Sequence, residues 1–184
     1  AATAAARCVV AEVNDQVPWT FGARSLTDED IDFLVPTSRP VVEVQAAKVG
    51  DVERTIAGHA SRYIDDGTIL QVGIGGIPDA ILQSIADRRD LGLHSGMIGD
   101  ALVHLVESGA LTNARKKIDR GISVAGALIG TRRLYDFVHL NPLLRMNESS
   151  YTHGDAILAE LDNFVSINSA TEVDLTGQVN AETA

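Results

Sequence analysis

A glycine-rich loop between a predicted strand and a predicted helix is the first feature that suggests chemistry. Residues 73–78 read Gly-Ile-Gly-Gly-Ile-Pro and follow the apolar run Ile69–Val72. Glycines at such a junction let a ligand approach the backbone, and the unpaired N–H groups at the start of the next helix attract anions. Pro78 stands where the dinucleotide fingerprint has its third glycine, and the Lys-Ser/Thr pair of a P-loop is absent. The loop predicts an anion or substrate site, with a tight turn that binds nothing as the alternative.

A polar segment near the end of the sequence is the second candidate. Residues 166–180 place Ser, Asn, Glu, Asp and Gln in a predicted strand-turn-strand setting. A carboxylate at the end of a strand can act as a base or as a nucleophile, and Glu172 occupies such a position. Periodicity alone does not separate this role from that of an exposed glutamate in a strand, which is the commoner case.

The histidines and the single cysteine form no recognisable site. The five histidines contain no HxH or HxxxH pair; they are His59, His94, His104, His139 and His153. The first, third and fourth fall on predicted helices, where solvent exposure or capping is expected, whereas His94 and His153 fall in predicted loops that face a cleft. Cys8 lies in the apolar run 8–13, which predicts a small core residue in a buried strand. One cysteine excludes an internal disulfide and favours a reducing compartment.

The elements that must position these residues alternate between strand-like and helix-like segments. This order predicts an α/β fold with a mostly parallel sheet and helices on both faces. Strands that end at Val72, Ile129 and Asn168 deliver their following loops to one edge of the sheet, where ligands of such folds bind. The polar and basic stretch 111–120, which includes Arg115-Lys116-Lys117, is the best candidate for a linker.

Composition narrows the class of protein. Of the 184 residues, 25 are acidic and 15 are basic, so the formal net charge is -10. This charge argues against a surface for nucleic acid or anionic membrane, because both need a positive patch. No apolar run approaches the roughly 18 residues that suggest a spanning helix. A cytoplasmic location is expected.

Five blocks of the sequence resemble the acetyl-CoA hydrolase/transferase family, the class I CoA-transferases that include 4-hydroxybutyrate and acetate CoA-transferases. The blocks occur in the family's order and extend from about Cys8 to the end. They are AEVNDQVPWTFG (11–22), LQVGIGGIPDAIL (70–82), DLGLHSGMIGDALVHLVESGALTN (90–113), LYDFVHLNP (134–142) and SINSATEVDLTGQVNAE (166–182).

The resemblance implies a covalent mechanism at a buried glutamate at the end of a strand. Glu172, in the EVDL segment, would attack an acyl-CoA thioester to form an acyl-glutamyl anhydride, and the CoA thiolate would convert the anhydride to a glutamyl-CoA thioester. An incoming carboxylic acid would then take the CoA by the reverse sequence. Water that reaches the anhydride would make the enzyme an acetyl-CoA hydrolase. A non-catalytic domain that binds nucleotides or sugar phosphates is the alternative from another class.

The resemblance also assigns the remaining site residues. Gly73, Gly75 and Gly76 would line the cleft. Ser149, Ser150, Tyr151, Thr152 and His153 stand where the family contacts CoA, although the commoner form there is Tyr-x-Asn-Asp. Coenzyme A is expected as a substrate, with short-chain carboxylic acids as partners and with no permanently bound cofactor or metal.

The implied organisation is a two-domain protein. Residues 1–118 would form the C-terminal part of the first CoA-transferase domain, and residues 119–184 would form the N-terminal part of the second. The chain is therefore expected to be a piece of a longer protein that forms a homo-oligomer and to have little activity by itself.

Overall fold

The computed structural model describes residues 2–22 and 25–181, so Glu182, at the end of the last family-like block, lies outside the described residues. The helices are α1 (Ala2–Ala5), α2 (Asp51–Ala60), α3 (Gly76–Ser84), α4 (Asp100–Glu107), α5 (Arg132–Val138), α6 (Ser149–Thr152) and α7 (Asp155–Leu158). The strands are β1 (Val10–Asn14), β2 (Phe21–Gly22), β3 (Phe33–Thr37), β4 (Ile69–Val72), β5 (Gly92–Ile98), β6 (Ser123–Leu128), β7 (Leu144–Met146), β8 (Phe164–Ile167), β9 (Glu172–Val173) and β10 (Val179–Asn180).

Six of the described strands form a parallel sheet in the order β2-β7-β6-β5-β4-β8. From β4 the chain moves in one direction through α3, β5, α4, β6 and α5 to β7. It then returns through α6 and α7 to β8, on the far side of β4. Because parallel crossovers are right-handed, the outward helices and the returning helices lie on opposite faces of the sheet. This confirms the predicted α/β fold.

The core is built almost entirely from aliphatic side chains. It lies between the sheet and helices α2–α5, with fully buried Leu70, Leu93, Leu105 and Leu134 at its centre. Short apolar strands that are covered on both faces are typical of parallel sheets. Within the described residues, no helix is long and apolar enough to cross a membrane.

The first strand differs from its prediction. It pairs only with β3 in a separate two-stranded parallel sheet, and Val10 and Val13 are 63% and 53% exposed. Cys8, just before this strand, is also exposed. The expected buried strand and core cysteine are therefore wrong, because none of the described elements covers this small sheet.

The predicted linker 111–120 is also wrong. Asn113 and Lys116 are 3% and 2% exposed. The Asn113 amide accepts a hydrogen bond from the N–H of Leu93 (2.8 Å) and donates one to Ser123 Oγ (3.0 Å). The segment thereby joins β5 to β6. The domain division after residue 118 falls between these two neighbouring strands and stays a prediction.

Candidate active site

The glycine-rich loop and the Glu172 segment leave neighbouring strands at the same edge of the sheet. The loop follows β4, and residues 168–172 follow β8, which pairs with β4 in parallel. Both segments therefore follow the carboxyl ends of adjacent parallel strands, which is the edge where open α/β sheets bind their ligands. The N–H of Gly73 extends the pairing by one residue, because it donates to the carbonyl of Ile167 (3.1 Å).

A polar cluster fixes the chain at this edge. The side chains of Gln71 and Asn168 exchange two amide hydrogen bonds, of 3.2 and 3.0 Å. The Ser166 hydroxyl donates to Gln71 Oε1 and accepts from Asn168 Nδ2. The three side chains thereby set the direction in which the chain leaves β8 toward Glu172.

The three predicted loop glycines have different surroundings. Gly75 has a φ of +120°, and a Cβ at this residue would meet no atom within 4 Å. A Cβ on Gly76 would lie 3.5 Å from the Cβ of Ala47, and one on Gly73 would lie 3.6 Å from Asn168 Oδ1. Among these glycines, Gly75 is therefore the one whose surroundings leave room for a ligand.

A cavity of about 230 Å³ adjoins Gly75 and lies against the loops that follow β4, β5 and β6. Its apolar wall is formed by Val44, Ala46, Ala47, Ile74 and Ile129. Its polar lining consists of Gln45 and of the carboxyl groups of Asp79 and Asp100. Asp79 belongs to the first turn of α3, whereas Asp100 begins α4.

The two aspartates have different environments. Asp100 accepts hydrogen bonds from the N–H (2.9 Å) and the hydroxyl (2.7 Å) of Thr131. The carboxyl group of Asp79 has no such donor among the described residues. Burial, and secondly the nearby charge of Asp100, raise the pKa of Asp79 above its usual value. A carboxyl group with a raised pKa in a cleft is a candidate functional group, and sequence reasoning missed it.

Glu172 begins a two-residue strand that pairs with β10 in an antiparallel hairpin. Its side chain is exposed, and none of the described residues donates a hydrogen bond to its carboxylate. The expectation of a buried glutamate is therefore wrong, because β9 and β10 form a separate two-stranded sheet and residues 171–180 are all exposed. The carboxylate is available to react, but the described residues do not shield it from water.

The neighbouring carboxylate, Asp174, holds the turn of this hairpin. Its Oδ1 accepts hydrogen bonds from the N–H (2.8 Å) and the hydroxyl (2.8 Å) of Thr176 and from the N–H of Gln178 (2.9 Å). The bond from Gln178, followed by that from the Thr176 hydroxyl, lowers the pKa of Asp174. Asp174 therefore stabilises the hairpin turn, two residues after Glu172.

The expected CoA-contacting residues form α6 and the residue after it. Ser149, Ser150 and His153 are exposed, whereas Thr152 is buried. The Tyr151 hydroxyl donates to Asp119 Oδ2 (2.7 Å). Burial, together with this bond, raises the pKa of Tyr151 to about 12. In the described structure Tyr151 and Thr152 support the helix, and a CoA role for the five residues stays a prediction.

The imidazole of His153 lies over β5, since a Cβ on Gly96 would come within 2.5 Å of its Cε1. Gly96 is thus needed for a close approach to the sheet. His94, on the same strand, is fully buried, so its predicted loop location is wrong. Within the described part of the chain no group forms a hydrogen bond of good geometry with its ring nitrogens. Burial, followed by the charge of Lys116, lowers the pKa of His94, and the nearby backbone of Thr152 and Tyr151 opposes this shift. His59, His104 and His139 are exposed, as expected.

Comparison with known proteins identifies the family. Residues 130–184 match the acetyl-CoA hydrolase/transferase C-terminal domain. Over 98% of its length the chain is 42% identical to the 4-hydroxybutyrate coenzyme A transferase of Clostridium kluyveri. This chain belongs to the acetyl-CoA hydrolase/transferase family.

Other CoA-transferases match the chain over a similar length. The succinyl-CoA:cyclohexane-1-carboxylate CoA transferase of Geobacter metallireducens is 36% identical over 96% of the chain. The crystal structure of a 4-hydroxybutyrate CoA-transferase from Porphyromonas gingivalis superposes with a TM-score of 0.92 at 33% identity, and the match covers 96% of this chain and 45% of that one. The chain spans 42% and 40% of the length of the Clostridium and Geobacter relatives.

Proposed function

We propose that the protein containing this chain transfers CoA between a short-chain acyl-CoA and a carboxylic acid, and that Glu172 is its nucleophile. The observation that supports the proposal is that the two candidate segments lie side by side. In a chain similar to CoA-transferases along nearly its whole length, the glycine-rich loop and the Glu172 segment leave neighbouring parallel strands at one edge. The named relatives act on 4-hydroxybutyrate and on succinyl-CoA with cyclohexane-1-carboxylate.

The reaction proceeds in two half-reactions. The Glu172 carboxylate attacks the thioester carbonyl, the C–S bond breaks, and an acyl-glutamyl anhydride and CoA thiolate result. The thiolate attacks the glutamyl carbonyl of the anhydride, which gives glutamyl-CoA thioester and releases the first carboxylate. The incoming carboxylate then attacks this thioester, and the returned thiolate attacks the new acyl carbonyl, so that acyl-CoA leaves and Glu172 is regenerated.

The chain contributes by positioning the Glu172 carboxylate and not by making this carboxylate unusually reactive. A carboxylate is a weak nucleophile, so the reaction depends on proximity and on exclusion of water. The hairpin turn held by Asp174 restricts the approach of Glu172, and the open space at Gly75 admits the thioester to the loop. The hydrolase activity shares these residues, because it differs only in water taking the place of the acceptor acid.

Acyl exchange tests the proposal. The protein is incubated with acetyl-CoA and butyrate, and the formation of butyryl-CoA and of free CoA is followed. A transferase forms butyryl-CoA faster than free CoA. Free CoA alone identifies a hydrolase, and neither product identifies a binding domain, so either result contradicts the proposed transfer.

A further inference from the structure

We propose that the cavity beside Gly75 holds the acyl chain of the thioester and selects short chains that are uncharged or carry a hydroxyl group over chains that end in a carboxylate. This inference rests on the proposed function and adds the class of acyl group. The residues of the glycine-rich loop do not determine the class of acyl group, because a backbone site that binds the thioester carbonyl is the same for every acyl-CoA.

The place of the cavity suits an acyl chain. It opens beside Gly75, where the absence of a side chain leaves space, and it continues between residues 44–47 and the ends of β5 and β6. A thioester carbonyl at the loop would therefore have its alkyl chain directed toward Ile129 and Ala46. The CoA portion, on the other side of the carbonyl, would stay outside.

The size of the cavity limits the occupant. Its volume of about 230 Å³ is below the roughly 300–1,000 Å³ of sites that enclose drug-sized ligands. At about 30 Å³ for a group the size of a water molecule, there is room for about seven such groups. A chain of two to four carbons with a terminal hydroxyl fits on this basis, whereas CoA itself does not.

The lining determines which chains bind. Five apolar side chains favour methylene groups, because contact with them removes apolar surface from water. The polar lining residues are Gln45, Asp79 and Asp100, and no lysine, arginine or histidine is among the described lining residues. A chain that ends in a carboxylate would therefore meet two carboxyl groups without a compensating cation.

Of the two carboxyl groups, that of Asp79 is the one available to a ligand. Asp100 is already hydrogen-bonded to Thr131, whereas Asp79 has no donor among the described residues. A ligand hydroxyl can donate to Asp79 when it is ionised and accept from it when it is protonated. A hydroxyl at the end of a four-carbon chain can therefore satisfy Asp79 in either state.

The first test measures kcat/KM for acetyl-, butyryl-, 4-hydroxybutyryl- and succinyl-CoA with one acceptor. Because like-charge contacts are unfavourable, we expect kcat/KM for succinyl-CoA to be at least about a hundredfold lower than that for butyryl-CoA. Ala46→Leu, on an exposed loop, fills the cavity and should lower the value for butyryl-CoA by about 10–200-fold while changing that for acetyl-CoA by less than about threefold. Ala156→Leu, on exposed α7, is the matched control and should change neither.

Asp79→Asn removes one of the two carboxyl groups and should narrow the gap between succinyl- and butyryl-CoA by about tenfold or more. Equal use of succinyl- and butyryl-CoA by the wild type overturns the inference. So does an Ala46→Leu variant that loses acetyl- and butyryl-CoA activity alike, or an unchanged ratio in Asp79→Asn.

A binding measurement separates the cavity from the transfer reaction. Saturation-transfer NMR with millimolar butyrate should show transfer to its methyl group in the wild type and in Ala156→Leu, but not in Ala46→Leu. If exchange is absent and this pattern holds, the proposed function fails while the cavity assignment stands. If the wild type transfers CoA but butyrate binds equally to Ala46→Leu, the cavity assignment fails and the function stands.

Discussion

The backbone N–H of Gly73 donates a 3.1 Å hydrogen bond to the carbonyl of Ile167, which joins the start of the glycine-rich loop to the end of β8. Ninety-four residues separate these two positions in the sequence, yet the bond places the loop beside the segment that leads to Glu172. The relationship depends on the return of the chain through α6 and α7, which makes β8 the neighbour of β4 rather than of β7. The topology therefore creates the candidate site.

The glycines of the loop should respond differently to alanine. Gly75 has a φ of +120°, so Gly75→Ala should lose about 1–3 kcal/mol of unfolding free energy and also place a methyl group at the cavity entrance. Gly76 begins α3, and its Cβ would make ordinary 3.5 Å contacts, so Gly76→Ala should change stability by less than about 1 kcal/mol and leave KM unchanged. Urea unfolding and acyl-CoA kinetics of both variants check this. Equal damage in the two variants would contradict the assignment of open space to Gly75.

Lys116 predicts an unusual dependence of stability on pH. Its Nζ donates to the carbonyls of Leu93 (3.0 Å) and Ile122 (2.8 Å), and burial lowers its pKa from 10.5 to about 8. Between these values the unfolded chain binds more protons than the folded chain, so the free energy of unfolding should rise with pH. The full window corresponds to an increase on the order of 3 kcal/mol.

Chemical unfolding from pH 7.5 to 10.5 measures this rise. Lys116→Met removes the titrating group and keeps an unbranched side chain, so the difference between wild type and variant isolates the contribution of the lysine. The increase with pH should disappear in the variant. A variant with the same pH dependence as the wild type would show that Lys116 titrates normally.

The local sequence predicts the strands and turns around the site, but it does not predict which of their residues are buried. Ile69–Val72 and the following Gly-Ile-Gly-Gly-Ile-Pro carry their own strand and turn preferences, so this junction is confirmed. His94 lies in a strand without regular alternation, and its neighbour on the sheet surface is Tyr151. Because a contact between residues so distant in sequence has no local pattern, the sequence alone predicts a loop at His94.

The other differences between the predictions and the structure concern charged residues. Lys116 belongs to a basic run that is typical of a solvated surface, yet backbone carbonyls of two strands bind its ammonium group. The sequence alone does not single out Asp79, because an acid in the first turn of a helix is commonly explained by the helix dipole. Asp79 also lines the cavity, and this cavity is formed by segments as distant in the sequence as residues 44–47 and Ile129.

The hairpin turn provides a test of how Glu172 is positioned. Asp174→Asn keeps an Oδ1 acceptor for Thr176 and Gln178, so it should retain most of the turnover. Asp174→Ala removes the acceptor, and the displaced Glu172 should lower kcat by about ten- to a hundredfold, because a shift of about 1 Å has effects of this size. Steady-state kinetics with circular dichroism as a fold control distinguish the variants. Loss of activity in Asp174→Asn equal to that in Asp174→Ala would contradict a purely structural role.

The covalent intermediate at Glu172 is the central claim, and peptide mass spectrometry tests it most directly. The protein is incubated with acyl-CoA in the absence of an acceptor acid, digested and analysed, with Glu172→Gln and Asp174→Asn treated in parallel. We expect one peptide that contains Glu172 to gain the mass of CoA less water in the wild type and in Asp174→Asn, and no adduct in Glu172→Gln. An adduct that persists in Glu172→Gln, or one that is attached to another residue of the wild type, would contradict the account.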